Sequence, residues 1–137
     1  MVIVLDSSFA MALAMDDEHV SGLDSLLSRM IQEQTIVPPL WEYEIANAML
    51  SASRRGRMPA DQLPHRLALL KSLPISVDMA VIELTVIRSL DLAKKHNLTV
   101  YDAAYLELGI RLQATIATLD QKLAGAATSE DLKVIGA

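Results

Sequence analysis

Short, wholly apolar runs alternate along this chain with longer stretches whose apolar residues recur every three or four positions. Met1–Leu5 (MVIVL) contains no polar residue, which suits a strand buried on both faces. Ser7–Met15 reads as a short helix directly after it. From His19 to Gln34, Val20, Leu23, Leu26, Leu27, Met30 and Ile31 form one amphipathic stripe. Thr35-Ile36-Val37 predicts a second strand, closed by Pro38-Pro39. Leu40–Arg55 and Pro59–Leu73 predict two more helices, stopped by Gly56 and Pro74 respectively. Ile75-Ser76-Val77 predicts a third strand. Met79–His96 predicts a long helix with basic residues in its last turn, where the helix dipole favours them. Val100–Leu112 is a further helix, Ala114–Leu119 (ATIATL) a fourth strand and Gln121–Ala127 a short helix. Leu132–Ile135 (LKVI) closes as a fifth strand.

This alternation implies right-handed crossovers and an α/β fold, doubly wound, with a central, mainly parallel five-stranded sheet flanked by helices. The length of 137 residues suits a single domain over residues 1–137. In such sheets ligands sit beyond the carboxyl ends of the strands, where strand order reverses. Chemistry is therefore expected at those ends.

Composition narrows the chemistry. The chain has no cysteine, which excludes a disulfide scaffold, a thiolate zinc site and a cysteine nucleophile. Seventeen acids against twelve bases give a formal charge of −5, which disfavours nucleic-acid binding through bulk positive charge. Aromatic residues are 4%, too few for a base-stacking platform. The mean hydropathy of +0.31 raises the question of a membrane segment. No apolar run reaches the roughly 18–20 residues of a spanning helix. Asp6 interrupts the apolar start, which lacks a basic leader region. The expected location is the cytoplasm, with no membrane partner.

Four acids occupy positions that bear on chemistry. Asp6 follows MVIVL and Asp120 follows ATIATL, each where an apolar strand ends. A helix cap is an equally ordinary use for either. Asp102 lies in the first turn of an almost entirely apolar helix; stabilisation by the helix N-terminus is the plain alternative. Glu44 shares a helix face with Leu40, Asn47 and Ala48, although a solvated Glu is the common case. Taken together, a set of carboxylates without cysteine or a histidine cluster points to a hard octahedral cation, Mg²⁺ or Mn²⁺. Such an ion serves phosphoryl chemistry by activating water, so no protein nucleophile is needed.

The segments VLDSSF, PPLWEYEIANAML, TVYDAAYLELG and ATLDQKLAGAA resemble, in order and spacing, the PIN-domain ribonucleases, most closely the VapC-type toxins of bacterial toxin–antitoxin pairs. The resemblance implies a metal-holding, catalytic quartet at Asp6, Glu44, Asp102 and Asp120, supported by Ser8, Asn47 and Thr118. It also implies a PIN-like parallel sheet, Mg²⁺ or Mn²⁺ dependence, endonucleolytic cleavage of RNA, a homodimer and a small antitoxin protein as partner. Leaving those four carboxylates out of the count brings the charge from −5 to −1.

Arg54, Arg55 and Arg57 cluster at the end of one helix and Lys94, Lys95 and His96 at the end of another. Either group offers contacts to RNA phosphates, with ordinary dipole partnership as the plainer use. His19, His65 and His96 lack metal-type spacing. Trp41 reads as packing, and the seven methionines as core or as an adaptable docking surface. Two other readings stay open: a doubly wound phosphatase or phosphoacceptor domain using the same strand-end acids, and an inactive PIN-like binding module.

Overall fold

The computed structural model describes residues 1–15 and 20–137. Among these residues, five short strands form one sheet: β1 (Val2–Leu5), β2 (Gln34–Val37), β3 (Ile75–Val77), β4 (Thr115–Thr118) and β5 (Val134–Gly136). Their order is β3-β2-β1-β4-β5 and every pairing is parallel. Val4 sits at the centre, opposite Ile36 of β2 and Ile116 of β4. Ile3, Val4 and Leu5 are fully buried, as expected for a central strand covered on both faces.

Among the described residues, seven α-helices connect and cover the strands: α1 (Ser7–Ala14), α2 (Leu23–Gln32), α3 (Trp41–Arg54), α4 (Leu63–Lys71), α5 (Ile82–His96), α6 (Val100–Leu112) and α7 (Gln121–Ser129). Phe9, Ile45, Met49, Tyr105, Leu106 and Leu123 carry their apolar faces into the core around β1 and β4. Helix α6 lies close to the sheet because residue 109 is glycine: a Cβ there would meet the Ile116 side chain of β4. Gly136, at φ +106°, lets β5 run beside Thr118, whose carbonyl a Cβ would strike.

Several boundaries differ from the sequence pattern, among them Gln34, expected to end a helix and found in β2, and three have a clear local reason. The expected Pro59–Leu73 helix is a 3₁₀ turn, Ala60–Gln62, followed by α4. Pro64 lacks an N–H and is tolerated only in a first helical turn, so the α-helix starts beside it. Helix α5 begins at Ile82 rather than Met79, because the Asp78 N–H bonds the Val37 carbonyl at 2.8 Å and prolongs the β2–β3 ladder. The fifth strand starts two residues late, since Leu132 turns into the core instead. His19, the expected start of the second helix, lies outside the described residues; α2 begins at Leu23. Among the described residues, no helix is long and apolar enough to cross a membrane.

Candidate active site

From β1 the chain moves outward to β2 and β3; from β4 it moves to β5 on the other side. The reversal falls between β1 and β4, and Asp6 and Asp120 follow the carboxyl ends of these two strands. This is the crevice that open α/β sheets use for ligands.

Asp6 is held by its backbone before its side chain does anything. Its N–H bonds the Ala117 carbonyl at 2.9 Å, extending the β1–β4 ladder, and its carbonyl accepts the Ala10 N–H at 3.1 Å, opening α1. The side chain is 3% exposed. Ser8 Oγ donates to Asp6 Oδ2 at 2.6 Å and Thr118 Oγ1 to the same oxygen at 2.7 Å. The Asp120 N–H donates to Thr118 Oγ1 at 3.0 Å and the Leu119 N–H to Ser8 Oγ at 3.0 Å. The two strand ends are thus laced through two hydroxyls. Asp6 stands at the N-cap position of α1 but makes no capping bond. Asp120 does cap α7, its Oδ1 accepting the Leu123 N–H at 2.9 Å. The capping alternative therefore holds for Asp120 and not for Asp6.

Glu44 lies in the first turn of α3 and Asp102 in the first turn of α6. The Tyr105 hydroxyl donates to Glu44 Oε1 at 2.5 Å, and Ser7 Oγ donates to that oxygen at 3.3 Å. Thr99, not Asp102, caps α6: its hydroxyl accepts the Asp102 N–H at 3.1 Å. Neither Ser7 nor Tyr105 stands out in the sequence. Tyr105 sits in an apolar helix and reads as core, which its fully buried ring also is. Its spacing of three residues from Asp102, one helical turn, is the signal that ties it to the site.

The electrostatics mark these acids as a group. Burial pushes the Asp6 carboxyl above its ordinary range, against the bonds from Ser8 and Thr118, and the charge of Asp120 adds to the rise. Burial also raises Glu44, with Asp6 and Asp102 adding to it. Asp102 rises through burial and then through Asp120 and Asp6, against Thr99 and, least of all, the charge of Lys122. Burial outweighs mutual repulsion as the cause in all three. Among the described residues, none of the four acids stands in an ion pair.

The four side chains sense one another without closing on a point. Among the described residues, no group of three or more His, Cys, Asp or Glu is gathered tightly enough to hold a metal ion. Like charges repel, and Asp6, Glu44 and Asp120 are each turned by one oxygen toward a donor of the protein. In kind, the donors fit a hard divalent cation: carboxylates alone, with no thiolate or imidazole.

The other candidates scatter. Asn47 is exposed and makes no side-chain hydrogen bond among the described residues; Tyr105 and Ser7 engage Glu44 in its place. Arg54, Arg55 and Arg57 are exposed at and beyond the far end of α3, eleven residues or about 16 Å along the helix from Glu44 in the case of Arg55. Of the second basic cluster, Lys95 and His96 are bound to Glu130 at 2.6 and 2.9 Å, and Lys94 is exposed. Trp41 is buried packing, as are Met15, Met30, Met49 and Met58. His65 lines a groove between α1, α2 and α4.

Residues 3–128 match the sequence model of the PIN domain. Over 128 residues the chain is 31% identical to Ribonuclease VapC3 of Pyrobaculum aerophilum, spanning 90% of this chain and 93% of that one. Among solved structures, PAE2754 of Pyrobaculum aerophilum gives a TM-score of 0.69 at 22% identity, over 92% of this chain and 87% of that chain. VapBC2 of Rickettsia felis, bound to a DNA fragment from its promoter, gives 0.68 at 13% identity over 98% and 97%. VapC20 of Mycobacterium tuberculosis, a sarcin–ricin loop cleaving toxin, gives 0.65 at 14% identity over 90% and 94%. At these identities the three structures speak to fold alone.

Proposed function

This chain belongs to the PIN-domain family, and from that premise we propose that it is an endoribonuclease, the toxin of a toxin–antitoxin pair, working as one unit over residues 1–137. The observation that carries the reading is the set of acids at the crevice between β1 and β4, buried or half-buried and paired with no cation. Uncompensated carboxylates at a strand-order reversal cost stability, so they are kept for what they bind.

Asp6, Glu44, Asp102 and Asp120 are the residues that would hold Mg²⁺ or Mn²⁺. Such an ion supplies the activation of water and the charge neutralisation that hydrolysis of an RNA phosphodiester requires. The chain's own part is positioning. Ser8 and Thr118 fix Asp6 by a single oxygen, and Thr118 ties Asp6 to the backbone of Asp120. Arg54 and Arg55 offer phosphate contacts a few nucleotides from the acids, each adding to the salt dependence of binding. A cytoplasmic location follows from the substrate class.

Two surfaces support the proposed partners. A groove of about 660 Å³ between α1, α2 and α4, lined by Leu13, Leu23, Leu27, Leu69 and Leu73 with His65 and Arg66 at its polar side, suits an amphipathic segment of an antitoxin. On α5 and beside it, Ile82, Leu84, Val86, Ile87 and Leu90 are 49–61% exposed and Tyr101 65%. So many exposed apolar side chains on one helix favour a second copy of this chain as cover. Sedimentation at micromolar concentration should show a dimer; a 15.0 kDa species alone would remove that part of the reading.

The central test is cleavage of a mixed RNA pool with Mg²⁺ or Mn²⁺. Wild type should cleave, and both excess chelator and Asp6→Asn should abolish it with the far-ultraviolet dichroism unchanged. Undiminished cleavage in either condition overturns the reading.

A further inference from the structure

We propose that Tyr105 is a positioning residue of this site: together with Ser7 it clamps one oxygen of Glu44 so that the other faces the crevice. The inference rests on the reading of Glu44 as a metal-holding carboxylate.

Three of the four acids are held in the same manner. The fold's hydroxyl donors to Asp6 both fall on Oδ2, those to Glu44 both fall on Oε1, and the α7 cap uses Oδ1 of Asp120. In each case one oxygen is engaged by the protein, and no other side chain among the described residues donates to its partner oxygen. Glu44 needs such a clamp more than an aspartate does, because its side chain has one more rotatable bond and more freedom to lose. It also sits on α3, outside the β1–β4 lacing that fixes Asp6.

Tyr105 is suited to the task by where its ring is. The ring is fully buried and so cannot swing, and a buried phenol hydroxyl needs an acceptor. A phenylalanine would fill the same space without the bond. The hydroxyl crosses from α6 to α3, while Asp102 stands one turn earlier on the same α6. One helix therefore supplies an acid and the orientation of another. Ser7, next in sequence to Asp6, reaches Glu44 from the third side.

The test is a double-mutant cycle on the full chain, read by Mn²⁺ titration without RNA. Tyr105→Phe should weaken Mn²⁺ binding by about tenfold with Glu44 present, the scale for a group that orients a metal ligand. In the Glu44→Gln background it should cost nothing further. Ser7→Ala, at a partly exposed position, should show a smaller loss with the same dependence on Glu44, and carries the test if the phenylalanine variant fails to fold. Equal losses in both backgrounds, or no loss with Glu44 present, overturn the positioning role alone. A wild-type chain that binds no Mn²⁺ overturns the metal-site reading and this inference together.

Discussion

Asp6 and Asp78 occupy corresponding places, each the first residue past the carboxyl end of a parallel strand, and they have opposite surroundings. Asp78, after β3, receives both arms of the Arg111 guanidinium, at 2.6 and 3.2 Å. The same guanidinium binds Glu107, 3% exposed on α6, at 2.9 and 3.1 Å, and Arg88 lies 3.9 Å from that carboxylate. Asp6, as buried as Glu107, meets two hydroxyls, the backbone of Ser7 and the charge of another acid, and no cation. Helix α6 repeats the contrast within itself: Asp102 is unpaired and Glu107 neutralised. The surface pairs fall on the neutralised side. Glu33 beside Arg29 and Glu130 beside Lys95 and His96 hold their carboxyls below the ordinary range, while Asp6, Glu44 and Asp102 are pushed above it. What separates the two kinds of acid in this fold is an ion-pair partner, not the strand end or the burial.

The largest effect that comparison implies is on the neutralised side. Arg111→Ala strands the buried Glu107 and the carboxylate of Asp78. Breaking a buried pair from one side costs about 3–5 kcal/mol, and Arg88 holds this case to the lower end. That is a large part of the roughly 5–15 kcal/mol of a typical domain. Neutralising Glu107 as well, in Arg111→Met with Glu107→Gln, should recover much of the loss. Urea unfolding of the two variants measures it. An Arg111→Ala chain within about 1 kcal/mol of wild type would show that the fold does not depend on this neutralisation.

The two sides were unequally legible in the sequence. Asp6 and Asp120 announce themselves because apolar runs end at them, and periodicity is local information. The parallel sheet follows from alternation of strand and helix; the order of the strands, and with it the place of the reversal between β1 and β4, does not, because it is set by pairing between distant segments. Asp78 also ends an apolar run, but its partner is 33 residues away and nothing local marks it. Glu107 and Arg111 look like a solvated pair one turn apart on α6, and only packing against α5 and β3 shows that they are not. Tyr105 was hidden for the opposite reason: its ring belongs to the core, and only its hydroxyl belongs to the site. Asn47 shares the helix face of Glu44 in the sequence pattern, yet it is exposed, and the carboxylate is engaged by Tyr105 and Ser7 instead.

The smaller effect lies on the unpaired side and has the opposite sign. A carboxyl whose folded pKa lies above its unfolded value takes up a proton more readily in the folded chain. Its contribution to stability is fully present below the unfolded pKa and is lost as pH rises through the folded one. Asp6, Glu44 and Asp102 all act in this direction, so in chelator the wild-type chain should gain stability as pH falls from neutrality toward their ordinary values of 3.8 and 4.5. Glu33 and Glu130 act oppositely: their contribution is present above the ordinary value of 4.5 and is lost below it. The stability of the metal-free chain should therefore peak in the mildly acidic range. Asp102→Asn removes one of the raised groups and should flatten the upper limb. At pH 7 it should melt a few degrees above wild type, a gain under about 1 kcal/mol because this side chain is partly exposed and solvent screens its charge. Asp120→Asn should act in the same direction, since asparagine keeps the α7 cap nearly as well while the charge that raises Asp6 and Asp102 is removed. If Asp102 served only the α6 dipole, its replacement would lose a charge–dipole attraction of about 0.3–1 kcal/mol and melt lower. Millimolar Mn²⁺ should then stabilise wild type more than Asp102→Asn by mass action. Equal stabilisation of both, with the mutant melting lower in chelator, would move Asp102 to the structural side of the comparison.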